Sequence, residues 1–181
     1  IQVVVRSDGS GTTYNFTNSL AAFSPSWKKG PGVGKSVNWP TGVGAKGNEG
    51  VAASLLQTKG SIGYVEAAYV RGILQAAAIA NRSGSFNLPD AANASQALAT
   101  IDLGDDLTGS DPNPSAGYPI VTFTWVLLYK NGNAAKLPIL QRTFNYALSE
   151  AAQKQAPALG YIPLPAPVLA KAKDALANVG P

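Results

Sequence analysis

The chain opens with an apolar, β-branched run, "IQVVV" at residues 1–5, that leads directly into the polar turn "RSDGSGTT" at residues 6–13. Such a run is typical of a buried strand. The amphipathic segment that follows, residues 12–23, predicts a helix. A strand that passes through a short turn into a helix is the building unit of α/β folds, so the opening favours that class.

The alternation of strands and helices continues along the rest of the chain. The predicted strands lie near Val37–Trp39, at Ile62–Val65, within residues 76–84 and, as a long hydrophobic strand central in a sheet, at Tyr118–Lys130. The predicted helices cover 48–57 with Asn48 as cap, 67–73, a segment that begins near Asp90, 134–155 with Pro138 near its start, and 165–177. This alternation predicts mostly parallel sheets.

One segment reads as a linker. Residues 104–119, "GDDLTGSDPNPSAGYP", are rich in Gly, Pro, Asp and Ser and contain almost no apolar side chains. Such a composition favours irregular structure. We therefore expect an α/β protein of two lobes.

Composition narrows the possible functions. The 181 residues are 45% hydrophobic and 13% charged, which is typical of a globular protein. The net charge of +4 comes from scattered Lys and Arg without a basic run, so we expect no nucleic-acid partner. The chain has no Cys and no His, which removes thiol chemistry and the commonest general base. We expect neither an enzyme nor a cofactor or metal site.

Two glycine-rich segments resemble nucleotide-binding motifs only superficially. In "GPGVGKS", the spacing Gly30-x-x-x-Gly34-Lys35-Ser36 is one residue shorter than a P-loop requires, and no apolar strand precedes it. The segment "GVGAKG" at residues 42–47 matches the dinucleotide pattern but also lacks an upstream buried strand. Both segments are interpreted as loops.

The turn "RSDGSGTT" has the chemistry of an anion site. Gly9 and Gly11 let the backbone bend and approach a ligand, while Ser10, Thr12 and Thr13 add hydroxyl donors. The amides of the turn and the positive end of the following helix favour an anion. Arg6 offers a planar fork that grips two oxygens, and Asp8 is placed to hold that fork. The alternative is a helix cap with a surface ion pair between Arg6 and Asp8.

Beyond this turn, long blocks of the sequence are familiar. "VVVRSDGSGTTYNFTNSLAAFSPSWKK" and "VNWPTGVGAKGNEGVAASLLQTKGSIGYVEAAYV" closely resemble the phosphate-binding proteins of high-affinity phosphate ABC transporters. "YPIVTFTWVLLYK" and "LGYIPLPAPVLAKAKDAL" resemble the C-terminal part of the same family. The resemblance covers nearly the whole chain. It implies a bilobed periplasmic-binding-protein (type II) fold that closes on phosphate at the hinge.

The resemblance also implies a role for each residue of the turn. Arg6 would grip phosphate oxygens and Asp8 would fix Arg6 by a salt link. Ser10, Gly11 and Thr12 would donate hydrogen bonds from hydroxyl and backbone groups. The phosphate-binding set is therefore expected to be Arg6, Asp8, Ser10, Gly11 and Thr12.

The family comparison implies that a segment is missing from the N-terminus. Members of the family are longer there and carry further phosphate ligands, including a carboxylate that accepts the proton of hydrogen phosphate. We expect residues 1–115 to form most of the second lobe and residues 116–181 the C-terminal part of the first. The chain has no Met, so Ile1 is not expected to be a translation start.

The expected partners are inorganic phosphate, the membrane permease of the transporter and that missing segment. The expected location is periplasmic or extracellular, with anchoring through the missing N-terminus as one option. An alternative is an extracellular phosphate-binding, adhesion or inhibitor protein of the same fold without a transporter.

Overall fold

The computed structural model describes the whole chain, Ile1–Pro181, and contains a three-stranded parallel sheet in the order β2–β1–β3. The strands are β1 (Gln2–Arg6), β2 (Val43–Ala45) and β3 (Ser61–Gly63). Val4 of β1 pairs with Val43 on one side and with Gly63 on the other. The predicted parallel sheet is thus confirmed, with the first strand at its centre.

Helices connect and flank these strands. They are α1 (Gly11–Phe23), α2 (Pro25–Lys29), α3 (Gly47–Gln57), α4 (Ala91–Leu98), α5 (Leu137–Ala147), α6 (Glu150–Gln155) and α7 (Ala166–Ala177). Single 3₁₀ turns lie at Ala67–Tyr69, Ala134–Lys136 and Ala156–Leu159. Val4 of the central strand β1 and Val51 of α3 are both completely buried, because α3 packs on that strand. None of the helices combines the length and apolarity needed to cross a membrane.

The second half of the chain begins with a small antiparallel pair, β4 (Ile79–Ala80) and β5 (Phe86–Asn87). Asp90 then caps α4 by accepting a hydrogen bond from the N–H of Asn93 at 2.8 Å, as predicted. A separate hydrophobic cluster follows, made of Leu98, Ile101, Leu103 and Phe123.

The long strand predicted at Tyr118–Lys130 is wrong for this chain. Residues 118–130 form no helix or strand, and four of their large apolar side chains are exposed: Trp125, Val126, Leu127 and Tyr129. The physical reason is that a strand requires a neighbouring strand for its backbone hydrogen bonds. No strand of the chain lies beside this segment.

Other predictions need smaller corrections. Val37–Trp39 is not a strand; β2 forms six residues later, inside the "GVGAKG" segment interpreted as a loop. The helix predicted at 67–73 is only a 3₁₀ turn, and the one at 134–155 is divided near Leu148 and Ser149. Ser149 caps a new helix there by accepting the N–H of Ala152 at 3.2 Å.

Asn48 is not a helix cap. It lies one residue inside α3, and its side-chain oxygen instead accepts the N–H of Glu66 at 3.3 Å. The helices at 12–23 and 165–177 are confirmed to within one residue.

Candidate functional site

The turn "RSDGSGTT" lies where the central strand ends and α1 begins. Arg6 is the last residue of β1, and Gly11 is the first residue of α1. Ser10 caps the helix, because its hydroxyl oxygen accepts the N–H of Thr13 at 3.2 Å. The carboxyl end of a central parallel strand is the usual ligand position in open α/β sheets.

Arg6 and Asp8 form a two-point ion pair. The Nε–H of Arg6 donates to Oδ1 of Asp8 at 2.8 Å, and Nη2 donates to Oδ2 at 2.6 Å. Only 9% of the Arg6 side chain is exposed, against 34% for Asp8. A guanidinium carries five N–H donors, so this pairing leaves three of them free on Nη1 and Nη2.

Asp8 also holds a second element. Its Oδ1 accepts the backbone N–H of Gly47, the first residue of α3, at 3.1 Å. The hydrogen bonds from Arg6 and then from Gly47 hold the pKa of Asp8 well below its usual range. The bond to Asp8 raises the pKa of Arg6 in turn. Both groups therefore stay charged at neutral pH.

The amides at the start of α1 are available to a ligand. The N–H groups of Gly11 and Thr12 have no carbonyl one turn earlier in the helix, and they donate to no other protein atom. A Cβ on Gly9 or Gly11 would meet nothing within 4 Å, and neither glycine has a positive φ. The bend therefore does not require glycine, but the space beside both amides is open.

The loops that resembled nucleotide motifs support this turn. The carbonyl of Lys35, in "GPGVGKS", accepts the N–H of Ser10 at 2.9 Å. Gly34 of the same segment exchanges hydrogen bonds with the hydroxyl of Thr17 on α1. The "GVGAKG" segment supplies β2 and the amide of Gly47. Both glycine-rich segments thus pack around the candidate site.

Tyr64 is an important contact that the sequence analysis missed. Its buried hydroxyl accepts the N–H of Arg6 at 3.2 Å and lies 2.7 Å from Oγ1 of Thr13. The ring stacks on Phe16 at 4.5 Å between centroids and lies near Trp39. A signal was present in the sequence: Tyr64 directly follows β3, which lies beside β1, so both strands end at the same edge of the sheet.

Glu66, two residues further, was also missed. Its carboxylate accepts a hydrogen bond from the hydroxyl of Thr12 at 3.1 Å. The five predicted site residues lie within one continuous stretch, residues 6–12, which runs from the end of β1 into the first turn of α1. Around them the structure adds Gly47, Tyr64 and Glu66, from the neighbouring elements.

Known proteins resemble this chain in sequence and in fold. The model of the PBP superfamily domain matches residues 1–150. Over 171 residues, the chain is 41% identical to the phosphate-binding protein PstS of Xylella fastidiosa, which covers 91% of this chain and 47% of that protein. It is 42% identical over 182 residues to PstS of Pasteurella multocida, covering 94% of this chain and 51% of the relative.

The folds of solved structures agree. A high affinity periplasmic phosphate-binding protein, solved with phosphate bound, superimposes with a TM-score of 0.75 at 24% identity. That match covers 96% of this chain and 57% of the solved one. A human phosphate binding apolipoprotein gives a TM-score of 0.73 at 23% identity, over 96% of this chain and 58% of its own.

The chain belongs to the PBP superfamily. Within it, the chain is similar to the PstS phosphate-binding proteins over nearly its whole length, which confirms the resemblance predicted from the sequence. It spans about half the length of the curated relatives it matches.

Proposed function

We propose that this chain carries one side of a receptor site for inorganic phosphate, formed by Arg6, Asp8, Ser10, Gly11 and Thr12. One observation carries the proposal: Arg6 is fixed by Asp8 while three of its N–H donors stay free. These free donors of Arg6 lie in the same turn as the unpaired backbone amides of Gly11 and Thr12. Charged forks and helix N-termini are the groups that proteins use to hold oxyanions.

The names of the relatives support phosphate as the anion. Proteins about 40% identical to this chain are phosphate-binding proteins, and a protein of similar fold has been solved with phosphate bound. By that likeness, the whole protein would act outside the cytoplasm and deliver phosphate to the membrane permease of an ABC transporter. Its role is capture and release of the ion, not catalysis.

The proposed site is one of two facing halves. Residues 1–115, which contain the sheet β2–β1–β3, would form most of one lobe. Residues 116–181 would complete a second lobe together with a segment that precedes residue 1. The exposed apolar run around Val126 and Leu127 supports this division, because such a run is typical of a buried strand. The facing lobe would supply further ligands to phosphate.

Ligand-linked thermal unfolding tests the proposal on the 181-residue chain. A ligand that binds only the folded state raises the melting temperature, and the rise grows with the logarithm of the ligand concentration once that exceeds the dissociation constant. We expect phosphate to raise the melting temperature above that in chloride at equal ionic strength. Arg6→Ala should remove most of this rise.

Arg82→Ala is the matched control, because Arg82 is an exposed arginine far along the chain from the turn. It should keep the full response to phosphate. An equal phosphate response in Arg6→Ala and the wild type would contradict the proposed site.

A further inference from the structure

Residues 120–130 form a segment whose backbone hydrogen-bonding groups are unpaired. None of their N–H groups donates to a backbone carbonyl, and no carbonyl of residues 120–129 accepts a backbone N–H. The segment runs without a turn or bend from Val121 to Tyr129. Trp125, at its middle, is fixed by its Nε1–H, which donates to the carbonyl of Leu107 at 2.7 Å. The segment therefore has the free backbone groups of an edge strand that lacks a neighbour.

The two halves of this unpaired segment differ in what their side chains contact. Phe123 is buried in the hydrophobic cluster of the second half of the chain, and Val121 packs against that cluster. Leu127 and Tyr129, further along, are 92% and 81% exposed. Alternate residues of an extended chain share one face, so these four side chains would belong to a single face. The segment thus carries an apolar cluster at one end and exposed apolar side chains at the other.

Antiparallel pairing of two copies of the segment brings the unlike halves together. With the two-fold axis at Trp125, Leu127 lies opposite Phe123 of the second copy, and Tyr129 lies opposite Val121 of that copy. The exposed side chains of each copy then extend the apolar cluster of the other. The same pairing gives the free backbone groups strand partners. A two-fold contact of this kind is closed, because each copy uses the same surface.

Charge favours the antiparallel orientation of the two copies. Lys130 is the only charged residue between positions 112 and 135. In the antiparallel pair it lies opposite Ile120, at the far end from its counterpart. A parallel pair in register would place the two lysines side by side, where like charges destabilise a sheet.

We propose that the 181-residue chain forms a two-fold dimer through antiparallel pairing of residues 120–130 about Trp125, so that its partner is a second copy of itself. Strand addition of this kind combines backbone hydrogen bonds with the burial of alternate side chains. In a longer chain the proposed second lobe would cover the same segment, so the dimer is a property of the chain in which the segment is exposed. The inference does not rest on the proposed anion site.

Sedimentation velocity of the 181-residue chain, from micromolar to submillimolar concentration, tests the dimer. The mean mass should rise from one copy to two and rise no further. Leu127→Lys places a charge against the apolar cluster of the second copy. Its dissociation constant should rise at least about tenfold, because the two-fold axis repeats the loss of a buried leucine in both copies. Since Leu127 is 92% exposed, this variant should keep its fold.

Ile73→Lys is the matched control, because Ile73 is 82% exposed and the substitution adds the same charge. It should associate like the wild type. Arg6→Ala, which removes the central group of the proposed anion site, should also associate like the wild type. A failure of the anion site and a failure of the dimer are therefore distinguishable.

Cross-linking tests the register, because the chain has no cysteine of its own. Thr124 and Val126 lie opposite each other in the proposed pair. When the single variants Thr124→Cys and Val126→Cys are mixed and oxidised, mass spectrometry should show mainly the mixed disulfide-linked dimer. A parallel pair in register would instead link each variant mainly to itself.

The outcomes decide between the dimer and its alternatives. A chain that stays monomeric over the whole concentration range would overturn the proposal, and growth beyond two copies would overturn its closed two-fold form. Equal association of Leu127→Lys and Ile73→Lys would place the contact elsewhere and also overturn it. Cross-linking of each cysteine variant mainly with itself would contradict the antiparallel register, whatever the sedimentation of Leu127→Lys.

Discussion

Asp8 accepts a hydrogen bond from the backbone N–H of Gly47 at 3.1 Å, which joins the turn after β1 to the first residue of α3. The same carboxylate holds Arg6, so one side chain fixes the guanidinium relative to two secondary-structure elements. A receptor needs this kind of fixed fork, because a free arginine would lose conformational entropy each time an anion binds.

The first prediction concerns acid stability. The pKa of Asp8 is depressed in the folded chain, so its stabilising effect is fully present above the ordinary carboxyl value of about 3.9. That effect is lost as the pH falls below this value toward the depressed one. Asp8→Asn should therefore lower stability at neutral pH and flatten its decline in acid. Urea unfolding across the acid range measures both effects.

Asp90→Asn is the control for this prediction, since Asp90 is an exposed helix cap without a basic partner. Its acid profile should stay close to that of the wild type. An acid profile of Asp8→Asn as steep as that of the wild type would contradict the account of the ion pair.

The second prediction concerns the Tyr64 hydroxyl. Tyr64→Phe keeps the ring stacked on Phe16 but leaves the Arg6 N–H and the Thr13 hydroxyl without their buried partner. We expect a loss of about 1–3 kcal/mol in the free energy of unfolding. Tyr129→Phe, at an exposed position, should cost almost nothing. Equal stabilities of the two variants in urea would show that Tyr64 does not hold the turn.

The third prediction concerns the cap of α1. Ser10→Ala removes the oxygen that accepts the Thr13 N–H and should destabilise the chain by about 1 kcal/mol. Ser10→Thr keeps a hydroxyl there and should recover most of that stability. Because the hydroxyl is also a proposed ligand donor, phosphate affinity should follow the same order. Full stability of Ser10→Ala would argue against the capping role.

The fourth prediction separates the fold from the ligand. Gly11→Ala places a methyl group where nothing lies within 4 Å and where φ is not positive, so stability should change by no more than about 0.5 kcal/mol. The methyl group lies beside the amide proposed to bind phosphate, so affinity should fall roughly tenfold. Gly84→Ala, at an exposed turn, is a control for affinity alone, because the positive φ of Gly84 (83°) strains an alanine there and lowers stability without touching the site. If Gly11→Ala lost stability but kept its affinity for phosphate, the proposed role of the Gly11 amide as a phosphate ligand would be contradicted.

Sequence patterns predicted the local features of this chain well. β1, the start of α1 and the cap at Asp90 depend on residues close together in the sequence, and all three are confirmed. The contacts of Tyr64 and Glu66 were missed because they depend on which strand lies beside β1. That pairing joins residues nearly 60 positions apart and leaves no periodic signal.

The two errors about strands have related causes. β2 is only three residues long, with the sequence Val-Gly-Ala, and it lies within a glycine-rich segment. Its apolar pattern is therefore too short to detect. Residues 118–130 have a strong strand pattern but no adjacent strand in the chain. Composition reports how well a segment suits a sheet, whereas pairing decides whether the sheet forms.

The proposed site is tested most directly by mapping where phosphate binds. In an NMR titration of the 181-residue chain, the account predicts that the amides of Gly11 and Thr12 and the Nη–H groups of Arg6 shift first and saturate together. Amides of α5 and α7 should stay unmoved at the same concentrations. Shifts that cluster away from the turn, or none at the turn at saturating phosphate, would contradict the account.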